Sequence, residues 1–131
     1  MQFAGPPDLV RLGPYPWAHV RALHGGRTGI RRLPNGTVSL LLDYGLSGYG
    51  NAWIGQELRY LGQGLVGDQV VTPATEILLA ALERGESARV WERVAVGVWY
   101  DLGWFDVAGV TRRELEGRRV FEFTLRPRAL G

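Results

Sequence analysis

Apolar and polar positions change rhythm several times along this chain, and those changes divide it into elements. The stretch TVSLLLD, Thr37–Asp43, is an apolar run between Asn35-Gly36 and a glycine-rich stretch, the pattern of a buried strand. Gly45–Gly55 reads as a loop and Glu57–Leu61 as a second strand. GQGLVGDQ follows, with three glycines in its first six residues, and requires a tight turn of special shape. Thr72-Pro73 then opens a helix, with threonine as cap and proline at the first helical position, and ATEILLAALERG carries it to a glycine stop at Gly85. Ile77, Leu78, Ala81 and Leu82 recur at helical spacing and should face a sheet.

Beyond that helix the period falls to two. Ala88–Val98, Trp99–Val110 and Arg119–Leu125 alternate as strands, most clearly in VFEFTL, and the charged segment RRELEGRR joins the last two as a hairpin. Ahead of the first strand, the prolines of residues 5 to 17 predict an irregular start, with a short helical turn over Ala18–Leu23. The balance of about six strands to one clear helix predicts an α+β, β-rich fold, a curved and barrel-like sheet with one main helix packed on it. At 131 residues and 46% hydrophobic, the chain is expected to form a single domain spanning 1–131.

Composition narrows the chemistry. There is no apolar run of about eighteen residues and no basic-then-apolar start, so a cytoplasmic protein without membrane association is expected. The absence of cysteine excludes disulfides, thiolate metal sites and thiol nucleophiles. The net charge is +2, and every one of the 15 basic residues is arginine. Without lysine there is no Walker lysine, no Schiff base and no nuclease motif that pairs two acids with lysine. Arginine suits bidentate phosphate contacts, although GC-rich coding would produce the same bias. His19 and His24 have no third ligand at a recognisable spacing, so neither a metal nor another cofactor is expected, and His24 reads as a structural hydrogen-bonding residue.

Gly62-Gln63-Gly64-Leu65-Val66-Gly67 fits a dinucleotide fingerprint after a strand. In such a site the helix begins within the glycines, so that its N-terminus meets the pyrophosphate. Here Val70, Val71, Thr72 and Pro73 delay the helix, and the acid about twenty residues on, Glu83, lies inside it rather than at the end of a second strand.

The order of segments carries a family resemblance. TVSLLLD, a Gly/Tyr loop, ELRYLGQG, GDQ, a helix ending ALERG, ARVWE, WYDLGWFDV and RRVFEFTL together resemble the SRA (SET- and RING-associated, or YDG) domain, of PUA-like architecture. The matching positions are Tyr60, Gly62, Gly64, Asp68, Gln69, Ala81, Leu82, Gly85, Arg89, Val90, Gly103, Phe105, Val107, Phe121 and Leu125. Upstream, Arg21, Leu23, His24, Gly29 and Ile30 resemble the start of the family's domain. There are departures. Tyr-Asp-Gly is loosened to Tyr100-Asp101-Leu102-Gly103, and Leu61 replaces a threonine. Only Leu65, Val66 and Gly67 stand where many relatives carry a longer finger.

What the resemblance implies is a DNA-binding reader, without catalytic residues, that flips a modified pyrimidine out of the duplex. The mark would be 5-methylcytosine or a hydroxymethylated base, and the setting modification-dependent restriction, with a nuclease in a partner or fused in a longer chain. Tyr60 matches one of two aromatic rings that sandwich the base, and Tyr49 is the candidate for the other, with Tyr44 as the alternative. Counting back from Tyr60, the family's base-reading aspartate falls on Asn51, and Asp43 is a second candidate acceptor. An asparagine suits either a cytosine or a uracil edge. Leu61 completes the candidate base-binding set. Gln63, Arg112, Arg113, Arg118 and Arg119 are candidate contacts to the DNA backbone. The alternatives are a PUA-like RNA-binding module and a small-ligand or nucleotide-binding protein.

Overall fold

A computed structural model of the protein describes residues 3–44 and 51–128. In chain order its elements are β1 (Leu12–Tyr15), α1 (Trp17–His24), β2 (Ile30–Arg32), β3 (Val38–Leu42), β4 (Ala52–Ile54), β5 (Glu57–Leu61), α2 (Pro73–Arg84), β6 (Ser87–Ala95), β7 (Val98–Leu115) and β8 (Arg118–Pro127). The strands form one sheet in the order β2-β3-β6-β7-β8-β5-β4, with β1 paired to β7 off this path. The fold is β-rich as the sequence predicts, and the sheet is curved but not closed. β3 and β6 are parallel, with Leu40 opposite Val90, and a parallel pair needs a long crossover. That crossover carries β4, β5 and α2.

Helix α2 keeps the limits read from its caps. Thr72 Oγ1 accepts the Thr75 N–H at 3.2 Å, Pro73 occupies the first turn, and Gly85 closes the helix at φ 67°. Its Ala74, Leu78 and Ala81 are buried in one core cluster with Val38, Leu40, Leu42, Ala88 and Val90. Strand alternation sends Leu41 and Trp91 to the opposite face, where they pack with Val20 of α1, Trp99, Tyr15 and Trp17. The central strands are thus covered on both sides, and α1 runs a little beyond the short turn expected at Ala18–Leu23.

Three strands escaped the sequence reading. β1, β2 and β4 are three or four residues long, too short for alternation to register. β4 lies inside the expected loop 45–55 and turns back onto β5 through Gly55, at φ 60°. The segment RRELEGRR is mostly strand, because β7 and β8 stay paired out to Leu115 and Arg118. Only Glu116 and Gly117 turn, both at positive φ, as a two-residue hairpin demands.

One buried carboxylate organises the side of the sheet near β4. Glu92 of β6 is inaccessible to solvent and is held by Arg11 through contacts of 2.7 and 3.1 Å. Tyr44 donates its hydroxyl to the same carboxylate and accepts from Trp53 Nε1 at 3.0 Å. Burial, reinforced by the Glu92 bond, pushes the Tyr44 phenol well above its ordinary pKa, so it stays a donor. Removing one partner of a buried pair strands the other. Arg11→Ala should therefore cost about 3–5 kcal/mol in urea unfolding, whereas Arg126→Ala, at the exposed pair with Glu57, should leave stability nearly unchanged. Equal costs would mean that Glu92 is not an isolated buried charge.

Candidate nucleic-acid interface

Between the end of β5, the end of β3 and the β6–β7 hairpin lies a cavity of about 590 Å³, within the usual range of about 300–1,000 Å³ for small-molecule sites. Tyr60, Leu61, Gly62 and Gln63 form one wall, and Leu41, Asp43 and Asn51 another. Arg27, Thr28, Gly29 and Ile30 from the segment after α1, and Trp17, Arg93, Val96, Gly97 and Trp99, also line it.

Tyr60 is 4% exposed and belongs to the core as well as to the cavity wall. Its hydroxyl lies 2.7 Å from the Leu41 carbonyl and 3.3 Å from that of Gly29, which also accepts the Leu41 N–H at 2.8 Å. The loop carrying Gly29 is anchored by His24. The buried imidazole meets Thr28 O at 2.6 Å and Ser39 Oγ at 2.7 Å. A carbonyl can only accept, so Nε2 carries the proton and Nδ1 accepts from the serine hydroxyl.

Asn51 is buried at 7% exposure, and its Oδ1 accepts the Leu61 N–H at 3.1 Å. A backbone N–H can only donate, so the carbonyl end of the amide is committed to β5. The other end, Nδ2, has no hydrogen-bond partner among the described residues. Asn51 therefore presents a donor.

The glycine-rich turn after Leu61 is held from inside. Gln69 is 1% exposed; its Nε2 donates to Gly62 O and Gly64 O at 2.8 and 3.1 Å, and its Oε1 accepts the Phe121 N–H at 2.8 Å. Asp68 Oδ1 accepts the Arg119 N–H at 2.8 Å. At Gly62 a Cβ would sit 3.1–3.2 Å from the side chains of Gln69, Phe121 and Thr75, so any larger residue would have to push these neighbours apart by a few tenths of an ångström. Gln63 N–H is fixed by Thr75 Oγ1 at 3.0 Å, on the first turn of α2.

A model of the ScoMcrA-like SRA domain family matches residues 17–129. The chain belongs to that family. Among solved structures, the SRA domain of SUVH5 bound to fully hydroxymethylated CG DNA is similar, with a TM-score of 0.73 and 21% identity over 99% of this chain and 96% of that one. The sulfur-binding and SRA domains of ScoMcrA complexed with phosphorothioated DNA match with a TM-score of 0.68 and 24% identity, over 97% of this chain and 40% of that one. KRYPTONITE in complex with mCHG DNA and SAH matches with a TM-score of 0.74 and 16% identity, over 99% of this chain and 34% of that one. No curated protein sequence matches the chain.

Of the residues singled out in sequence, the SRA fold gathers Asp43, Asn51, Tyr60, Leu61 and Gln63 around one cavity. Tyr44 is not among its lining residues, because its hydroxyl is turned into the Glu92 network. Tyr49 lies outside the described residues. Three of the four hairpin arginines make contacts within the protein. Arg112 donates to Gln69 O at 2.6 Å and covers the Phe121 ring, Arg113 pairs with Glu122, and Arg118 donates to Gly64 O and Gly67 O. Arg119 is exposed beside them. Asp101 of the loosened Tyr-Asp-Leu-Gly caps the Gly103 N–H at 2.8 Å and pairs with Arg89, a structural use of that motif. Sequence reasoning missed Arg27, Arg93, Val96, Trp17 and Trp99, which come from segments far apart in the chain and carry no local motif.

Burial, aided by nearby Arg31 and opposed by the Thr28 carbonyl, lowers the His24 pKa below its ordinary 6.5. The unfolded chain takes up this proton near pH 6.5 and the folded chain does not. Stability from neutral His24 is complete above that pH and is lost as pH falls toward the folded value. Urea midpoints should therefore drop between about pH 7 and pH 5, and His24→Gln should flatten that drop. The same slope in both proteins would mean that other groups control it.

Proposed function

We propose that this domain binds double-stranded DNA carrying a modified pyrimidine and takes that base out of the duplex into the cavity beside Tyr60. The observation that carries the reading is the cavity itself, in which an aromatic wall, a buried amide and backbone groups converge within an SRA fold. Flipping a base costs a few kcal/mol, and stacking on an aromatic ring returns about 1–3 kcal/mol per base. Tyr60 would supply one such face and Tyr49 the second. Asn51 would read the edge, and Leu61 and Asp43 would bound the pocket. Gln63 and the exposed Arg119 would contact the backbone.

The commitment of Asn51 Oδ1 to β5 gives the reading a direction. Its Nδ2, unpartnered among the described residues, suits an acceptor at position 4 of the base, such as the O4 of a uracil-type mark, rather than the cytosine amine. The DNA complexes of SUVH5 and ScoMcrA support DNA as the partner class. A restriction setting, with the nuclease in a partner or in the same longer chain and the whole acting in the cytoplasm, is the larger proposal. The small share of the ScoMcrA chain that the domain covers fits it.

Fluorescence anisotropy with duplexes carrying 5-methylcytosine, 5-hydroxymethylcytosine or 5-hydroxymethyluracil, against the plain duplex and a structured RNA, tests the reading. A marked duplex should bind tighter than the plain one and than RNA; equal affinities would remove base reading. Asn51→Asp keeps the acceptor for Leu61 but replaces the donor by a carboxylate oxygen. It should weaken the uracil-type mark by about 1–3 kcal/mol and leave cytosine marks as tight or tighter. An unchanged ratio would make Asn51 a purely structural residue.

Tyr60 separates ring from hydroxyl. Tyr60→Phe should lower stability by about 0.5–1.5 kcal/mol, the net worth of a hydrogen bond, while retaining preference for marked DNA. Tyr60→Ala should lose both. If Tyr60→Phe abolished the preference at matched folded fraction, stacking would not be what Tyr60 contributes.

A further inference from the structure

We propose that Arg27 and Arg93 form an anion-binding pair at the mouth of the cavity, and that they grip the phosphates flanking the nucleotide whose base has entered it. The inference rests on the base-reading function above. Arg27 stands on the loop between α1 and β2 and Arg93 on β6, and both line the cavity. Among the described residues neither guanidinium has a carboxylate or carbonyl partner, whereas Arg112, Arg113 and Arg118 of the hairpin are all engaged. Asp43 is the one acid among the described lining residues, so the mouth carries more positive than negative charge.

A neutral pyrimidine gives no reason for two guanidiniums against a single carboxylate beside its pocket. A flipped nucleotide does, because its sugar carries a phosphodiester on each side and rotation of about 180° brings that backbone to the mouth with the base. Arginine matches phosphate oxygens bidentately. Both side chains rise from fixed backbone. Arg93 pairs with Trp99 across the β6–β7 hairpin, and the Arg27 loop is pinned one residue later by the His24 bond to Thr28 O. Each arginine is therefore carried on backbone that is already held in place beside the cavity.

A quantitative consequence follows from counterion release. Each phosphate neutralised adds about −0.9 to the slope of log affinity against log salt. If the two contacts form only in the flipped state, the slope on marked DNA exceeds that on plain DNA by about 1.8. Salt titrations would use the mark wild type prefers among 5-methylcytosine, 5-hydroxymethylcytosine and 5-hydroxymethyluracil, with the plain duplex of the same sequence. Arg27→Ala and Arg93→Ala should each remove about 0.9 of slope from the marked duplex alone, and Arg93→Lys should retain it. A neutral methylphosphonate on one or the other side of the marked nucleotide should in each case remove about 0.9 of slope in the wild-type protein; each single alanine variant should respond to only one of the two, and the double alanine variant to neither. Losses equal on both duplexes, or slopes unmoved by substitutions and methylphosphonates while wild type still prefers marked DNA, would overturn the pair. No preference in wild type would instead overturn base reading itself, and this inference with it.

Discussion

The cavity depends on where the Tyr60 hydroxyl ends up. A phenol buried among core side chains must find a polar partner, and this one finds the Leu41 and Gly29 carbonyls, joining β5 to β3 and to the loop before β2. Three walls are thereby set by one side chain. The ring is immobilised by its own tip and by the core behind it, so it presents a face with little freedom left to lose. Core residue and stacking surface are often set against each other as explanations of a buried tyrosine. Here the first role is what would make the second effective.

The glycine-rich turn follows the same logic of internal satisfaction. Backbone groups of residues 62–69 are met by the Gln69 amide, by Thr75 and by arginines of the β7–β8 hairpin. The exposed tip is left to Leu65, Val66 and Gly67. The charged hairpin that resembles a phosphate clamp in sequence also braces this turn. Among the described residues some arginines have no acceptor beside them, and two of these, Arg27 and Arg93, lie at the cavity.

Much of the fold was legible because it rests on local signals. Thr72-Pro73 and Gly85 bracket α2, the apolar run at Thr37–Asp43 contains β3, and the alternation of VFEFTL marks β8. The short strands were not legible, since three or four residues hold too little alternation and owe their conformation to the neighbours they pair with. At the site, Tyr60, Asn51 and Gln63 could be placed by counting along a family pattern. Tyr44 could not be excluded that way, because its direction is decided by Glu92, 48 residues on. Arg27 and Arg93 were invisible for a related reason. Their meaning lies in having no ion-pair partner among the described residues, which sequence separation does not reveal.

Charge economy links these points to selectivity. Phosphate contacts supply essentially all of non-specific affinity for DNA, and a chain at +2 whose arginines are mostly paired with its own acids and carbonyls has little of that to offer. For a base reader this is an advantage, because specificity is the ratio of specific to non-specific binding rather than the affinity itself. Contacts that become available only when a base has left the stack raise the numerator alone. A surface crowded with free arginine would raise both, and the cost of flipping would then hold the protein on unmarked duplex. Internal pairing of arginine therefore does two things at once: it shapes the turn beside the cavity, and it keeps the rest of the surface from competing with the cavity for DNA.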